Sequence, residues 1–176
     1  MYGGTTSQEG YRFHHSSGLQ SHLDLSVNHP RVQRAHLKDV GQLLHIETQC
    51  FIEYRLSPSR FKYFIDQSAV WVIRSQNKVV AYLVLIRLIT KRGLMGRIYT
   101  VAVDPEHQGN GYGKRLLRHT LKELKREGAY AVISEVKESN HPSIRLHQNV
   151  GFNTVRFLPN FYGFKKHGLK LRKTFR

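Results

Sequence analysis

The chain has 176 residues, with 28 Lys and Arg against 12 Asp and Glu, which leaves a formal net charge of +16. That length supports one substantial core without staples, and a lone cysteine, Cys50, excludes an internal disulfide and argues against a zinc site. No apolar run is long enough to span a bilayer, since Arg87 interrupts Ala81 to Ile89, and no basic-then-apolar leader opens the chain, so a cytoplasmic protein with no membrane partner and no metal is expected.

Residues 1–30 are rich in Gly, Ser, Thr, Gln and His without a sustained period, and are expected to form an irregular extension. His14 and His15 within it have no partners at ligand spacing. Residues 31–176 then read as one domain. Arg31 to Ala35 suits a short strand, and from Leu37 the positions Val40, Leu43, Leu44 and Ile46 follow a helical stripe that carries Glu47 and leads to Cys50. Cys50 suits a buried thiol better than a nucleophile, because no histidine is locally committed to it. Ser57 caps a second helix through about Ile65, with Pro58 in its first turn.

Ala69 to Ile73 and Val79 to Thr90 read as strands around the polar turn Ser75-Gln76-Asn77-Lys78, and Gly93 to Gly96 as a further turn. The strand Ile98 to Val103 feeds Gln108-Gly109-Asn110-Gly111-Tyr112-Gly113, after which Leu116, Leu117, Leu121 and Leu124 recur on a basic helix. A helix start presents unpaired N–H groups at the positive end of its dipole, and glycines let an anion come close. The stretch therefore reads either as a phosphate cradle with Lys114 beside it or as a plain glycine turn. The dinucleotide fingerprint fails at Lys114, and the Walker pattern fails at Gln108 and Arg115.

After this helix ends near Gly128, Tyr130 to Val136 is expected as a strand parallel to its predecessor, because a helix connects the two. Asn140 caps a short helix to about Asn149, which Gly151 terminates. Val155 to Phe157 and Leu169 to Lys173 close the sheet, with Pro159 to Gly163 as an exposed connection. The fold class is α/β, a mixed sheet flanked by helices.

The run Val101-Ala102-Val103-Asp104-Pro105 followed by Gln-x-x-Gly-x-Gly resembles the pyrophosphate loop of the GCN5-related N-acetyltransferases. A second block, Glu135-Val136-Lys137-Glu138-Ser139-Asn140 with Leu146-His147 and Gly151-Phe152, resembles the ribosomal-protein-alanine N-acetyltransferase group, and Asn160-Phe161-Tyr162 matches that group's Asn-Tyr-Tyr. The resemblance covers roughly residues 31–174. It implies an acyltransferase fold, acetyl-CoA as cofactor, and direct transfer to a primary amine, most simply a protein N-terminal α-amine. An acceptor lysine, polyamine or other small amine stays open, as does an inactive basic module that binds RNA or the ribosome.

The resemblance further implies cofactor contacts at Val101, Val103, the loop Gln108, Gly109, Asn110, Gly111, Tyr112, Gly113 and Lys114, and at Asn140 and Ser143. It implies an oxyanion contact from a backbone N–H at Val103, a general base at Glu135, and acceptor-lining roles for Phe161 and Tyr162. Glu135 also suits a carboxylate simply paired with a cation. His147 stands where the family usually has a tyrosine acid. It is expected to supply that proton, to leave it to water, or only to cover the cofactor. Arg156, Lys165, Lys166 and His167 disfavour a basic acceptor. The charge suits ribosome association, and a monomer or homodimer is equally open.

Overall fold

A computed structural model describes residues 30–175; the expected extension, with His14 and His15, lies almost wholly outside the described residues. Seven strands form one sheet: β1 (Val32–Arg34), β2 (Val70–Ser75), β3 (Lys78–Thr90), β4 (Gly93–Val103), β5 (Ala131–Lys137), β6 (Asn153–Leu158) and β7 (Gly168–Thr174). Their spatial order is β1-β2-β3-β4-β5-β7-β6, with β4 and β5 parallel and every other neighbouring pair antiparallel. Among the described residues there are four α-helices, α1 (Val40–Cys50), α2 (Pro58–Asp66), α3 (Tyr112–Arg126) and α4 (His141–Gln148), and two short 3-10 turns. None of the described helices is long and apolar enough to cross a membrane.

The helices divide between the two faces of the sheet. On one face Leu116, Leu117, Leu121 and Leu124 of α3 pack with Leu83, Leu85, Ile98, Val132 and Val136. Each such side chain contributes roughly 2 kcal/mol of transfer free energy before the entropy cost of ordering it. On the opposite face α1 and α2 supply Leu43, Ile46, Phe61 and Phe64, which pack with Val70, Val72, Tyr82 and Val84. Alternate side chains of the central strands thus feed separate cores.

Sequence-level capping signals are realised. Ser57 accepts the N–H of Arg60 at 3.3 Å, and Asn140 Oδ1 accepts that of Ser143 at 3.1 Å. One expectation is corrected: Gly93 to Gly96 is not a turn but the start of β4, which pairs from Thr90↔Gly93 onward, so Lys91 and Arg92 make the reversal. Gly96 serves packing there. A Cβ at that position would stand 2.3 Å from Leu124 Cδ1, so the missing side chain lets α3 lie close to the sheet.

Two features open the middle of the sheet. The register of β3 against β4 jumps between Val84↔Thr100 and Leu85↔Ile98, which leaves Tyr99 as an extra residue in β4. Such a bulge bends the strand and increases its twist. Pairing of β4 with β5 then stops at Ile98↔Ser134, five residues before β4 itself ends at Val103. The two parallel strands part beyond that point.

Candidate active site

The opening between β4 and β5 carries unspent backbone groups. Asp104 donates its N–H to Val80 O at 2.9 Å, and in an antiparallel ladder the inward-facing residues alternate. The N–H groups of Val101 and Val103 therefore point away from β3, into the gap that β5 has left. The carbonyl of Val103 faces the same way and accepts Gln108 Nε2 at 3.2 Å and Cys50 Sγ at 3.3 Å. Burial, followed by the charges of Glu47 and Asp104, pushes the Cys50 thiol up, so it is a poor thiolate and packs α1 against this strand end.

The glycine loop follows at the end of β4. Gly109 and Gly111 have φ of 81° and 74°, and nothing lies within 4 Å of where a Cβ would stand on either. Gly111 is the N-cap of α3, and Arg115 is the residue that bonds back to its carbonyl, at 3.0 Å. The amides just before Arg115 therefore have no intrahelical acceptor. Gly113 plays a different part, since its absent side chain leaves room for Leu146 of α4 at 3.1 Å. Lys114 is half-buried in the first turn, while Gln108 and Asn110 are exposed. The Asn110 side chain donates to His107 O at 3.0 Å and holds the loop's shape. The loop thus has free donors and open space over two of its three glycines, a geometry that suits an anion.

Glu135 sits one residue past the last β4–β5 pair. Val132 and Val136 point into the α3 core, so Glu135 projects from the other face. Arg97 Nε donates to its Oε2 at 2.9 Å, and Lys170 Nζ stands 3.8 Å from its Oε1. The carboxylate is thus both paired and beside the opening. The Tyr162 hydroxyl donates to the Glu135 carbonyl at 2.9 Å. Burial, then the Glu135 charge, pushes that phenol up to about 12, so it stays a neutral donor.

His147 lies elsewhere than on the cleft surface. It is 1% exposed, with its ring edge-on to Phe152 at 5.1 Å. Its Nδ1 is 2.8 Å from Ser143 O, and because a carbonyl can only accept, Nδ1 carries the proton. The buried Nε2 then presents a lone pair and has no partner among the described residues. Desolvation holds the imidazole below its usual pKa, opposed only by the Ser143 carbonyl. Asn140 is exposed and committed to capping α4, and Ser143 is half-buried in that helix's first turn.

Two loops meet over the Glu135 side. Tyr54, between α1 and α2, donates its hydroxyl to Tyr162 O at 2.8 Å, and Lys166 Nζ contacts Glu53 Oε1 at 2.5 Å. Ile52, Phe161 and Phe164 stay exposed around this junction. Buried Glu47 anchors the first loop from below: it accepts the Leu56 N–H at 2.6 Å and the Tyr82 hydroxyl, and burial raises its pKa. Arg97, Lys170, Tyr54 and Glu47 had no local signature, because each acquires its place only through contacts distant in sequence.

A family model described as the acetyltransferase (GNAT) family matches residues 40–152, which include the opening, the cradle and α4. The chain belongs to the GNAT family. Its relatives include the [ribosomal protein bS18]-alanine N-acetyltransferase of Escherichia coli strain K12, 37% identical over 65 residues that make up 37% of this chain and 44% of the relative. The chain thus matches less than half the length of that curated relative. Among solved structures, the NatC complex bound to Gag peptide and CoA includes a chain that superposes with a TM-score of 0.75 at 17% identity, covering 83% of this chain and 98% of its counterpart. The Escherichia coli ribosomal-protein-S18-alanine N-acetyltransferase superposes with a TM-score of 0.68 at 22% identity, over 82% and 92% of the two chains. At those identities the superpositions show a common fold.

Proposed function

We propose that this GNAT chain transfers acetyl from acetyl-CoA to a protein N-terminal α-amine. The observation that carries the reading is the parted β4–β5 pair, whose outward Val101 and Val103 amides lead directly to an open glycine cradle at the start of α3. When bound, the cofactor supplies an activated thioester acetyl group. Amides from Gly109 to Lys114 would hold its diphosphate, and the outward amides of Val101 and Val103 would bind its pantetheine arm. The Val103 N–H, facing the opening, would polarise an acyl carbonyl placed there, a backbone contribution with no side-chain signature.

The acceptor enters from the opposite face, between the Tyr54 loop and the Tyr162 loop. Glu135 takes the proton of the incoming ammonium, directly or through one water, and Arg97 and Lys170 hold its carboxylate in place. An α-amine with a pKa near 8 is about a tenth neutral at pH 7, whereas a lysine near 10.4 is neutral less than about a thousandth of the time. Glu135 therefore has less to do for an N-terminus. His147, whose free nitrogen is an acceptor, would have no proton to give a leaving thiolate, which would take one from solvent. The relatives named for alanine N-acetylation support the same acceptor.

Thiol release on an alanine-starting peptide tests this reading, with the N-blocked peptide and free lysine as comparisons. Turnover on the first alone is expected. Turnover on lysine or a polyamine instead would move the acceptor while keeping the chemistry, and CoA binding without any acceptor would favour a non-catalytic module.

A further inference from the structure

The face of the sheet that carries Glu135 continues past the helices. Helices α1 and α2 cover it over β2 to β4, but their cluster includes no residue of β5, β6 or β7. Every residue of β6 from Asn153 to Phe157 is exposed. In this uncovered region lies a shallow basin of about 290 Å³ with Met95 and Ile133 at its floor. Its four charged lining residues, Arg92, Arg156, Lys170 and Arg172, are all cations.

The cations are arranged around an aromatic ring. The Arg92 guanidinium lies 5.1 Å from the Tyr130 ring centroid and that of Arg172 lies 5.9 Å away. The ring is held from below by hydroxyl contacts to Thr90 Oγ1 at 3.3 Å and Met95 Sδ at 3.5 Å. Arg172 lines the basin, although its own Nε is buried and has no hydrogen-bond partner among the described residues. Glu135 is the nearest carboxylate in the register, paired across to Lys170, and it is already engaged by Arg97.

We propose that this basin docks a single-stranded or looped segment of RNA. Three features select that occupant. The cations call for a polyanion, the guanidinium and tyrosine planes call for flat rings, and the Met95–Ile133 floor calls for a partner with apolar surface. A peptide of acidic residues alone satisfies only the first. An A-form duplex is a convex rod that cannot bring base faces into a concave site. Unpaired nucleotides offer phosphate to Arg156 and Arg172 and a base to the exposed Arg92 plane. Docking on this face puts the nucleic acid beside Lys170, and hence beside the acceptor side of Glu135. The binding itself does not depend on acetyl transfer, so it stands or falls separately from the proposed function.

The test is equilibrium binding of a short fluorescent single-stranded RNA to the full chain across a salt series, without cofactor. An R92Q/R156Q variant, both positions exposed, is compared with K122Q/K125Q, which removes the same charge from the exposed side of α3. The basin variant is expected to bind at least roughly tenfold more weakly, with a salt slope lower by about 1.4, while the α3 variant stays within about twofold of wild type. Equal losses in both variants would reduce the effect to net charge and overturn the proposal. So would competition by polyglutamate as effective as by unlabelled RNA, preference for duplex over single strand, or absence of binding at low salt.

Discussion

At the scale of single residues, Glu135 and His147 were both candidates for proton transfer, and their surroundings differ: one lies beside the strand opening, the other is buried in α4. Glu135 combines a position at the strand opening with two cations that fix its carboxylate, so Glu135→Gln is expected to lower turnover by about a hundredfold while acetyl-CoA affinity changes little. The loss should be steepest at low pH, where the amine is protonated; steady-state rates across pH measure it, and a uniform loss would assign Glu135 to positioning. His147 has its proton on the nitrogen that faces Ser143. His147→Gln is therefore expected to keep turnover within about threefold, since no proton transfer is removed.

The same histidine shapes acid stability. Burial lowers the folded pKa of His147, and burial does likewise to His119, so on acidification the unfolded chain takes up protons first. Their contribution is complete above the unfolded value near 6.5 and is lost as pH falls from there through the lower folded values. Thermal midpoints measured between pH 7.5 and 5 should decline toward acid, and the decline should be shallower in His147→Gln, by about the share of one imidazole.

At the scale of elements, the strand opening and the glycine turn do the work together. Gly111→Glu would aim a carboxylate at the cradle from a backbone with φ 74°, so cofactor binding should vanish by calorimetry. Gly111→Ala should cost only about 1–2 kcal/mol of stability for the left-handed conformation, and retain affinity. Retained affinity in the glutamate variant would move the diphosphate elsewhere. Helix periods, Ser57 and Asn140 caps and the glycine spacing were legible in the sequence because they are local. The Tyr99 bulge was not, since an extra residue in a strand exists only relative to its partner. Gly93 to Gly96 misled for a related reason: glycine marks turns and close packing alike, and only the proximity of Leu124 distinguishes them.

The site itself divides in the same way. Most of the proposed cofactor side, from Val101 to Lys114, lies within one contiguous stretch of chain and could be read by spacing, with Asn140 and Ser143 added from the start of α4. The proposed acceptor side draws on β4, β5, the Tyr54 loop and the Tyr162 loop, and nothing local links Glu53 to Lys166 or Arg97 to Glu135. His147 was legible as a position but not as a state, because its tautomer follows from the Ser143 carbonyl.

At the scale of the whole molecule, 28 basic residues against 12 acidic ones make a field that an acceptor must cross. Lys165, Lys166 and His167 lie on the loop beside Tyr162, and Arg97 and Lys170 flank Glu135. A peptide with acidic residues after its N-terminus should therefore be acetylated faster than a lysine-rich one at low ionic strength. The ratio should shrink as salt rises, because the Debye length falls from roughly 30 Å at 0.01 M to about 8 Å at 0.15 M. Specificity constants for the two peptides across salt give the result, and a salt-independent ratio would attribute selection to side-chain fit.

Because β7 lies between β5 and β6, the sheet receives a middle piece after both of its neighbours have been synthesised. A growing polypeptide that has emerged only as far as β6 offers the whole length of Ala131–Lys137 as a bare edge, and Glu135 lacks Lys170 until β7 follows. A chain lacking β7 would thus present a sticky, unpaired sheet edge on both β5 and β6.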